Sequence, residues 1–428
     1  MDNLRRAIKF VARNVLPWSI RRLIYRRLAY RYLSQLQVPR DASRKTLIIV
    51  NHFFDQDVRA LARANKHYNL AVIDPTRLFR SARHFFSEEV QGLVAPYDKT
   101  DPRCLRGYRR ECELILEKLV KRVNPSLIIT PSDVFYWIRE FIAAARDRGI
   151  ATVVIDKEGT ISPYSFDAVA KRYREFTPFI SEHIFVWSER QRKFWAKIGV
   201  DDARITVIGQ PRSDLLHHER KNDLDAFFRR WQPLVTYFSY IHNAYIPHKL
   251  ILAEQLDWGE TLQQSHDEIY QLACDHPDYN FVIKTHPQQP DLDNLQQKYE
   301  RDNLRVIGGS AVAYELLQRS ELIIAFQTTA LIEAMLLNKR VIYTYWDPLT
   351  KRLEKDLLPF HETPGIVVAR SLDEFRKACG RFFASDNSQF EFTAQELQAR
   401  AEFVDRYLYK PDGRVCERFF ESIGRFVK

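Results

Sequence analysis

The sequence predicts an α/β protein built from two doubly wound domains. Short runs rich in Ile and Val alternate with helix-length amphipathic segments from residue 45 onward, a pattern typical of parallel strands covered by helices on both faces. These runs form two consecutive series. A chain of 428 residues is too long for one ordinary core and suits two domains of roughly 150 to 200 residues. We therefore expect two parallel sheets in two separate domains.

The two series of apolar runs set the expected domain boundaries. The first series covers 46–53, 69–74, 126–133, 151–159, 183–189 and 205–214. The second covers 233–241, 280–290, 304–309, 320–329, 340–347 and 365–371. We predict a basic helical segment at 1–40, an N-terminal domain at 41–215, a C-terminal domain at 216–400 and a C-terminal helix at 401–428.

The basic N-terminal segment accounts for the charge of the chain. Residues 1–45 contain twelve Lys or Arg against two Asp, a local balance of 12 − 2 = +10 that equals the formal charge of the whole protein. Apolar residues recur at helical spacing, with Ile20, Leu23, Ile24 and Leu28 following Pro17. This pattern predicts an amphipathic helix in the interface of an anionic membrane. The alternative is a helix packed on its own protein. We expect no nucleic-acid partner, because no recognition motif accompanies the charge.

Cysteine usage and hydropathy indicate the compartment. The five cysteines form no Cys-x-x-Cys pair, which argues against a zinc site or a disulfide framework and favours a reducing environment. No apolar run reaches the roughly 18 to 20 residues of a spanning helix, and Arg or Lys interrupts each N-terminal apolar cluster. We expect a cytoplasmic protein associated peripherally with the inner face of the membrane.

The stretch FQTTALIEAML provides the clearest candidate site. Ligands of open parallel sheets bind beyond the carboxyl ends of the strands, and Gln327, Thr328 and Thr329 directly follow an apolar run. The two threonine hydroxyls and the free N–H groups of the following helix can hold a phosphate or diphosphate. Glu333, one turn further on, can accept two hydroxyls from a ribose. The alternative for Glu333 is an exposed first-turn glutamate favoured by the helix dipole.

A second strand-end pair lies in FVIKTHPQ. Lys284 and His286 share one face of a predicted strand and form a cationic pair suited to a diphosphate. Cations and helix ends can replace a metal in stabilising a leaving diphosphate, and no metal-ligand spacing accompanies these motifs, so we expect neither a metal nor a cofactor. Taken alone, a strand-end histidine is more often structural.

These motifs resemble those of the GT-B superfamily of nucleotide-sugar transferases, especially the branch that builds capsule, lipopolysaccharide and teichoic-acid polymers. The resemblance covers about residues 180 to 425. The matching residues are Gly209, Pro211, Arg212, Asp214, Lys284, His286, Pro287, Thr328, Thr329, Glu333, Ala334, Asp412, Gly413 and Arg418.

The resemblance implies a GT-B fold, with two Rossmann-like domains facing a central cleft. It also implies that the C-terminal domain binds a nucleotide-sugar donor. The residues implied in donor binding are Arg212, Lys284, His286, Gln327, Thr328, Thr329 and Glu333. The N-terminal domain would bind a lipid-linked or polysaccharide acceptor.

The catalytic base is expected in the N-terminal domain. An acceptor hydroxyl loses a proton as it attacks the anomeric carbon, and a carboxylate or imidazole can take it. Glu158 is the first candidate, because related surface-carbohydrate proteins carry a similar acidic-Glu-Gly motif. Asp55 and His52 follow, with Asp133 as a further possibility. For Asp55 and its neighbour Asp57 the alternative is a helix N-cap beside a solvated carboxylate.

One loop of the C-terminal domain adds two further candidates. His242 and Asn243 lie in FSYIHNAYIPH, which follows the first strand of that domain and lacks the glycines of a phosphate-cradling turn. They would contact donor or acceptor, or belong to a packed aromatic loop.

The function predicted from the sequence is transfer of a sugar from a nucleotide sugar to a membrane-linked surface polysaccharide or glycolipid. The alternatives are a CDP-polyol phosphotransferase using CDP-glycerol or a similar donor, an enzyme like UDP-GlcNAc 2-epimerase, and a non-catalytic binding protein on the same fold. The epimerase has no evident use for a basic anchor, and a degenerate binding protein would be expected to lack Glu333.

Overall fold

A computed structural model describes residues 17–38, 41–92, 96–157, 160–176, 178–217, 233–241, 257–309, 312–386 and 388–427. Three of the candidate residues, Glu158, His242 and Asn243, lie outside these ranges. So do residues 1–16 of the basic segment.

The N-terminal domain contains a six-stranded parallel sheet in the order β2-β1-β3-β4-β5-β6. Its strands are β1 Thr46–Val50, β2 Asn69–Ile73, β3 Pro125–Thr130, β4 Ala151–Ile155, β5 His183–Val186 and β6 Ile205–Val207. Its helices are α1 Trp18–Ser34, α2 Asp55–Ala64, α3 Pro75–Leu78, α4 Glu88–Gln91, α5 Pro102–Val123, α6 Tyr136–Asp147, α7 Phe166–Phe176 and α8 Glu189–Lys197. The strand order reverses between β1 and β3, so a crevice is expected at their carboxyl ends.

The C-terminal domain contains a second six-stranded parallel sheet, in the order β12-β11-β10-β7-β8-β9. Its strands are β7 Leu234–Phe238, β8 Asn280–Lys284, β9 Leu304–Ile307, β10 Leu322–Ala325, β11 Arg340–Thr344 and β12 Val367–Ala369. The helices after β7 are α9 Gly259–Asp275, α10 Leu292–Tyr299, α11 Ala313–Arg319, α12 Ala330–Leu336, α13 Pro348–Arg352, α14 Leu372–Phe383, α15 Ala394–Leu408 and α16 Val415–Ile423. This is the strand order of a dinucleotide-binding Rossmann sheet, with its reversal between β7 and β10.

Seven short 3-10 helices complete the described elements. They are Ala82–His84, Tyr97–Lys99, Asp202–Arg204, Pro211–His217, Phe360–Glu362, Ser388–Phe390 and Gly424–Phe426.

The strands are predominantly apolar on both faces because helices cover both faces of each sheet. All five residues of β1 are buried. Ile48 and Val50 pack into one core layer, while Leu47 and Ile49 pack into the layer on the opposite face, as the two-residue period of a strand requires. The prediction of two doubly wound α/β domains is confirmed.

The C-terminal segment predicted as one helix over 401–428 contains the end of α15, all of α16 and a final 3-10 turn. Helix α15 packs on α12 of the C-terminal domain. Helix α16 returns to the N-terminal domain, where Val415 and Phe419 join the core layer of Leu47 and Ile49. The chain therefore crosses between the domains a second time between α15 and α16.

The segment that follows β6, where the chain first leaves the N-terminal domain, packs against the segment between α15 and α16, where it returns. Asp214 accepts hydrogen bonds from the first N–H groups of α16, at 3.0 Å from Val415 and 2.8 Å from Cys416. Gly209 has a φ of +98°, and a Cβ there would lie 2.8 Å from the carbonyl oxygen of Tyr409. Arg418 donates to the carbonyl of residue 208 at 2.9 Å. Gly209, Asp214 and Arg418, three of the residues that carry the resemblance, thus hold this junction together.

Helix α1 is fixed by an ion pair that faces the protein. Arg22 and Arg26 both bind the carboxylate of Glu111, which is only 2% exposed, and Arg26 Nε lies 3.0 Å from its Oε2. The predicted separation into one apolar and one cationic face is therefore wrong for these two arginines. No helix among the described residues is long and apolar enough to cross a membrane.

Candidate functional site

Polar side chains from both domains meet at the carboxyl ends of the two sheets. Asp57 follows β1, Arg212 follows β6, and Thr329 and Glu333 follow β10. Arg212 Nε donates to Glu333 Oε1 at 2.8 Å, and its terminal nitrogens lie 3.1 Å from Thr329 Oγ1 and 3.5 Å from Asp57 Oδ2. We call these four residues the junction network. It joins the N-terminal domain to the β7/β10 reversal of the C-terminal sheet.

The junction network is buried, which makes its charges depend on one another. Arg212 is 14% exposed in its side chain, and the guanidinium lies 4.9 Å from the ring centre of Trp187. Burial raises the pKa of Asp57, while the neighbouring guanidinium acts in the opposite direction. Burial alone would lower the pKa of Arg212, but the carboxylates of Glu333 and Asp57 more than offset it, so that this pKa is raised. One guanidinium therefore balances two buried carboxylates.

This geometry excludes the two structural alternatives that the sequence left open for Glu333 and Asp57. Glu333 is 4% exposed, so it is not a solvated first-turn glutamate. Asp57 is 1% exposed and also accepts a hydrogen bond from the backbone N–H of Arg212 at 3.2 Å, so it is not a solvated neighbour of an N-cap. The N-cap of α2 is Phe54, with no side-chain cap. Asp57, which the sequence did not rank as a site residue, is the carboxylate that reaches the junction.

Of the remaining residues after β10, Gln327 is bonded inside the protein, whereas Thr328 and Thr329 are partly exposed. Gln327 was expected to contact the donor, but its amide is bound within the protein. Nε2 donates to Tyr343 Oη and to the carbonyl of Leu358, both at 2.8 Å, and Oε1 accepts from Leu358 N at 3.0 Å. Gln327 therefore holds the loop after β10 in place. Thr328 and Thr329 are partly exposed at the start of α12.

The two residues predicted as a cationic pair differ in exposure: Lys284, the last residue of β8, is buried, and His286, just after it, is partly exposed. Lys284 is 4% exposed and donates to the carbonyl of Thr285 at 2.6 Å. Burial lowers the pKa of Lys284 to about 8. His286 is partly exposed, and its Nδ1 accepts from the backbone N–H of Gln288 at 3.2 Å. Lys284 thus brings a desolvated cation to the end of β8.

The candidates on the N-terminal sheet lie in different surroundings. Asp55 is exposed at the start of α2 and accepts from Asn51 Nδ2 at 2.8 Å. His52 packs among aromatic rings after β1. Asp133 is 1% exposed, and its Oδ2 accepts from the backbone N–H groups of residues 180 and 181, both at 2.9 Å. Burial raises the pKa of Asp133. Asp133 therefore anchors a loop through Oδ2, and its possible role in the site stays a prediction.

The DKEG stretch is described only as far as residue 157. Asp156 accepts from the indole N–H of Trp195 at 2.7 Å and binds Gln191 at 3.4 Å, so its carboxylate is turned into the domain. Within the described part of the chain, no group of three His, Cys, Asp or Glu side chains is placed to hold a metal ion.

Comparison with known proteins identifies the fold. No protein-family model and no curated protein matches the chain. Among solved structures, a wall teichoic acid polymerase, TagF, soaked with CDPG, is similar with a TM-score of 0.56 at 10% identity, covering 99% of this chain and 96% of that one.

Two further solved structures are similar as well. The UDP co-structure of MnaA from S. aureus has a TM-score of 0.52 at 14% identity and covers 89% of this chain and 96% of that one. A UDP-GlcNAc 2-epimerase from Neisseria meningitidis bound to UDP-GlcNAc has a TM-score of 0.51 at 14% identity and covers 89% of this chain and 100% of that one. At such identities the likeness concerns the fold alone. The expected GT-B fold, with two Rossmann-like domains, is confirmed.

Proposed function

We propose that this protein is a metal-independent glycosyltransferase that moves a sugar from a nucleotide-sugar donor to a membrane-linked polysaccharide or glycolipid acceptor. The observation that carries the proposal is the junction network, because it sets two carboxylates, one hydroxyl and a buried guanidinium beside the reversal point of a Rossmann sheet. The similar structures were solved with UDP, UDP-GlcNAc or CDPG, which supports a nucleotide-activated donor.

The donor half of the proposed site lies on the C-terminal domain. The ribose hydroxyls would bind Glu333, sharing it with Arg212. The diphosphate would lie against Thr328 and Thr329, with the cations of Lys284 and His286 balancing the charge that develops as it leaves. No metal is required in this scheme, since the desolvated ammonium of Lys284 supplies positive charge.

The transfer itself exchanges one bond for another. The acceptor oxygen forms a bond to the anomeric carbon as the bond from that carbon to the diphosphate oxygen breaks, and the hydroxyl proton passes to a base. Glu158 remains the first proposed base. The alternative bases are Asp55 and His52, which both follow β1. His242 and Asn243 remain proposed contacts of donor or acceptor.

Helix α1 supports a membrane-linked acceptor and a peripheral location at the inner membrane face. Because Arg22 and Arg26 are tied to Glu111, the outer face of the helix carries four exposed apolar residues. These are Ile20 at 44%, Leu23 at 54%, Ile24 at 37% and Leu28 at 40% exposed. Arg27 and Arg31 are exposed on the same helix. An exposed face on which apolar side chains and arginines are interspersed suits contact with an anionic lipid surface.

A second candidate function is transfer of a polyol phosphate from a CDP-polyol. The observation in its favour is coverage, since the similarity to TagF extends over 99% of this chain, against 89% for MnaA and for the UDP-GlcNAc 2-epimerase. An epimerase reaction needs no acceptor and no outward apolar stripe, which leaves it the weaker candidate.

A nucleotide panel tests the proposal. The full chain is incubated with UDP-, GDP- and CMP-sugars and with CDP-glycerol and CDP-ribitol, and thermal shift and slow donor hydrolysis are measured. Stabilisation and hydrolysis with a nucleotide sugar are expected. A response confined to CDP-polyols favours the second candidate, conversion of UDP-GlcNAc to its C2 epimer without acceptor favours the epimerase, and no response to any nucleotide contradicts all three.

A further inference from the structure

Four aromatic rings lie together at the carboxyl ends of β1 and β3. The ring centre of His52 is 4.6 Å from that of Phe53, 5.4 Å from Phe135 and 5.0 Å from Trp137. Phe135 and Trp137 are stacked at 5.6 Å with an angle of 10° between their planes. We call these four residues the aromatic platform. All four are at least partly exposed, and Phe53 reaches 36%.

The platform occupies the reversal point of the N-terminal sheet. His52 and Phe53 follow β1, and Phe135 and Trp137 follow β3, the two strands between which the order reverses. Ligands of doubly wound sheets bind in the crevice at this point. Rings of this size are normally buried, so a partly exposed group of them at a ligand crevice requires an explanation.

The backbone of Phe53 is held in an unfavourable conformation that exposes its ring. Its φ is +51°, in the left-handed region that a bulky residue seldom adopts. Asn51 fixes the turn, because its side chain accepts from the N–H of Phe54 at 3.1 Å and donates to Asp55 at 2.8 Å. Conformations of this kind persist where the surrounding structure imposes them, and they concentrate at binding sites.

A cation links the platform to the junction network. Lys157 Nζ lies 5.2 Å from the ring centre of Phe53. Its charge also acts on Asp57, whose carboxylate meets Arg212. The platform is therefore adjacent to the place where the two sheets meet, and not on a remote surface of the domain.

We propose that the aromatic platform is the acceptor subsite and that it takes a pyranose ring. The inference rests on the proposed transferase function and specifies its acceptor. The C–H hydrogens on one face of a pyranose carry partial positive charge and pack against the negative face of an aromatic ring. The hydroxyls at the rim then reach the imidazole of His52, and Lys157 binds a carboxylate or phosphate carried by the sugar. An open polyol chain presents no such flat apolar face.

Saturation-transfer difference NMR with the full chain tests the inference directly. The probes are methyl glucoside, methyl N-acetylglucosaminide, glucuronic acid and glycerol 3-phosphate, each in the presence of the best nucleotide from the panel. Saturation of pyranose ring protons is expected. Phe53→Ala should weaken that binding about tenfold, the upper range for a stacked aromatic contact. Lys157→Gln should weaken glucuronic acid more than methyl glucoside.

Tyr270→Ala is the matched control, because Tyr270 is 37% exposed on α9 of the other domain. It should leave saccharide binding unchanged. Retention of the nucleotide-induced thermal shift by Phe53→Ala separates this test from that of the proposed function. The proposal that the aromatic platform binds a pyranose is wrong if the wild type binds nucleotide but no pyranoside shows saturation transfer. It is equally wrong if Phe53→Ala behaves like Tyr270→Ala, or if only glycerol 3-phosphate binding depends on Phe53.

Discussion

The carboxyl ends of the two sheets carry side chains of different chemical character. The reversal point of the N-terminal sheet carries rings, with Phe53 exposed and Lys157 over it. The reversal point of the C-terminal sheet carries hydroxyls and a buried ion pair between Glu333 and Arg212. Similar folds thus present an apolar surface on one side and a charged one on the other. The contrast fits a donor whose diphosphate and ribose need charge and hydrogen bonds, and an acceptor recognised through the face of a sugar.

The largest effect is expected from removing the cation shared by both halves. Arg212→Ala leaves Asp57 and Glu333 buried without their common partner, and losing one side of a buried pair typically costs about 3–5 kcal/mol. The free energy of unfolding from urea denaturation should fall by that amount. Arg192→Ala is the control, since Arg192 pairs with Asp202 at the surface, where both are exposed, and should change little. A loss for Arg212→Ala no greater than the control's would show that the junction network does not stabilise the protein.

The donor half is tested by the isosteric change Glu333→Gln. It keeps the shape of the side chain but removes the charge that would bind the ribose hydroxyls, and a hydrogen bond to a charged group is worth about 1.5–3 kcal/mol. Nucleotide affinity by calorimetry should therefore fall about tenfold or more.

Glu315→Gln is a closely matched control for that experiment. Glu315 is also 4% exposed in the C-terminal domain and also faces an arginine of the other domain, Arg59, at 3.5 Å. If both variants lose nucleotide affinity equally, the effect comes from domain contact, and the assignment of Glu333 to the ribose is wrong.

The positions of the strands along the chain could be predicted from the sequence, whereas the partners within the site could not. Continuous apolar runs report burial on both faces of a sheet, so β10 was found within the run 320–329. Asp55 and Asp57 look equivalent in the sequence. Only the return of the chain at Arg212, 155 positions later, makes Asp57 the buried one. The internal partners of Gln327 could not be predicted for the same reason, because Leu358 lies on a distant loop.

The proposed contact between the N-terminal domain and the membrane is tested on helix α1. Leu23→Ser removes the most exposed apolar side chain of its outer face, and burying a leucine is worth about 1.5–3 kcal/mol, so binding to anionic liposomes should weaken about tenfold. Leu397→Ser is the control, since Leu397 is 38% exposed on α15 of the C-terminal domain. Equal retention of both variants in liposome pelleting would rule out α1 as the docking face.

The smallest effect expected is a pH dependence from Lys284. Its pKa is lowered to about 8 by burial, from 10.5 for a free lysine, so the ammonium is lost as the pH rises through about 8. Affinity for a nucleoside diphosphate should fall several-fold between roughly pH 7 and 9 if this cation faces the diphosphate. The free energy of unfolding should move the other way, because between the folded and unfolded pKa values the unfolded chain binds more protons, and stability rises with pH. Lys284→Met should bind nucleotide more weakly and show neither trend. If the affinity of the wild type is constant over this range while its stability still rises, Lys284 is a buried cation of the fold and the diphosphate is bound by Thr328, Thr329 and His286 without it.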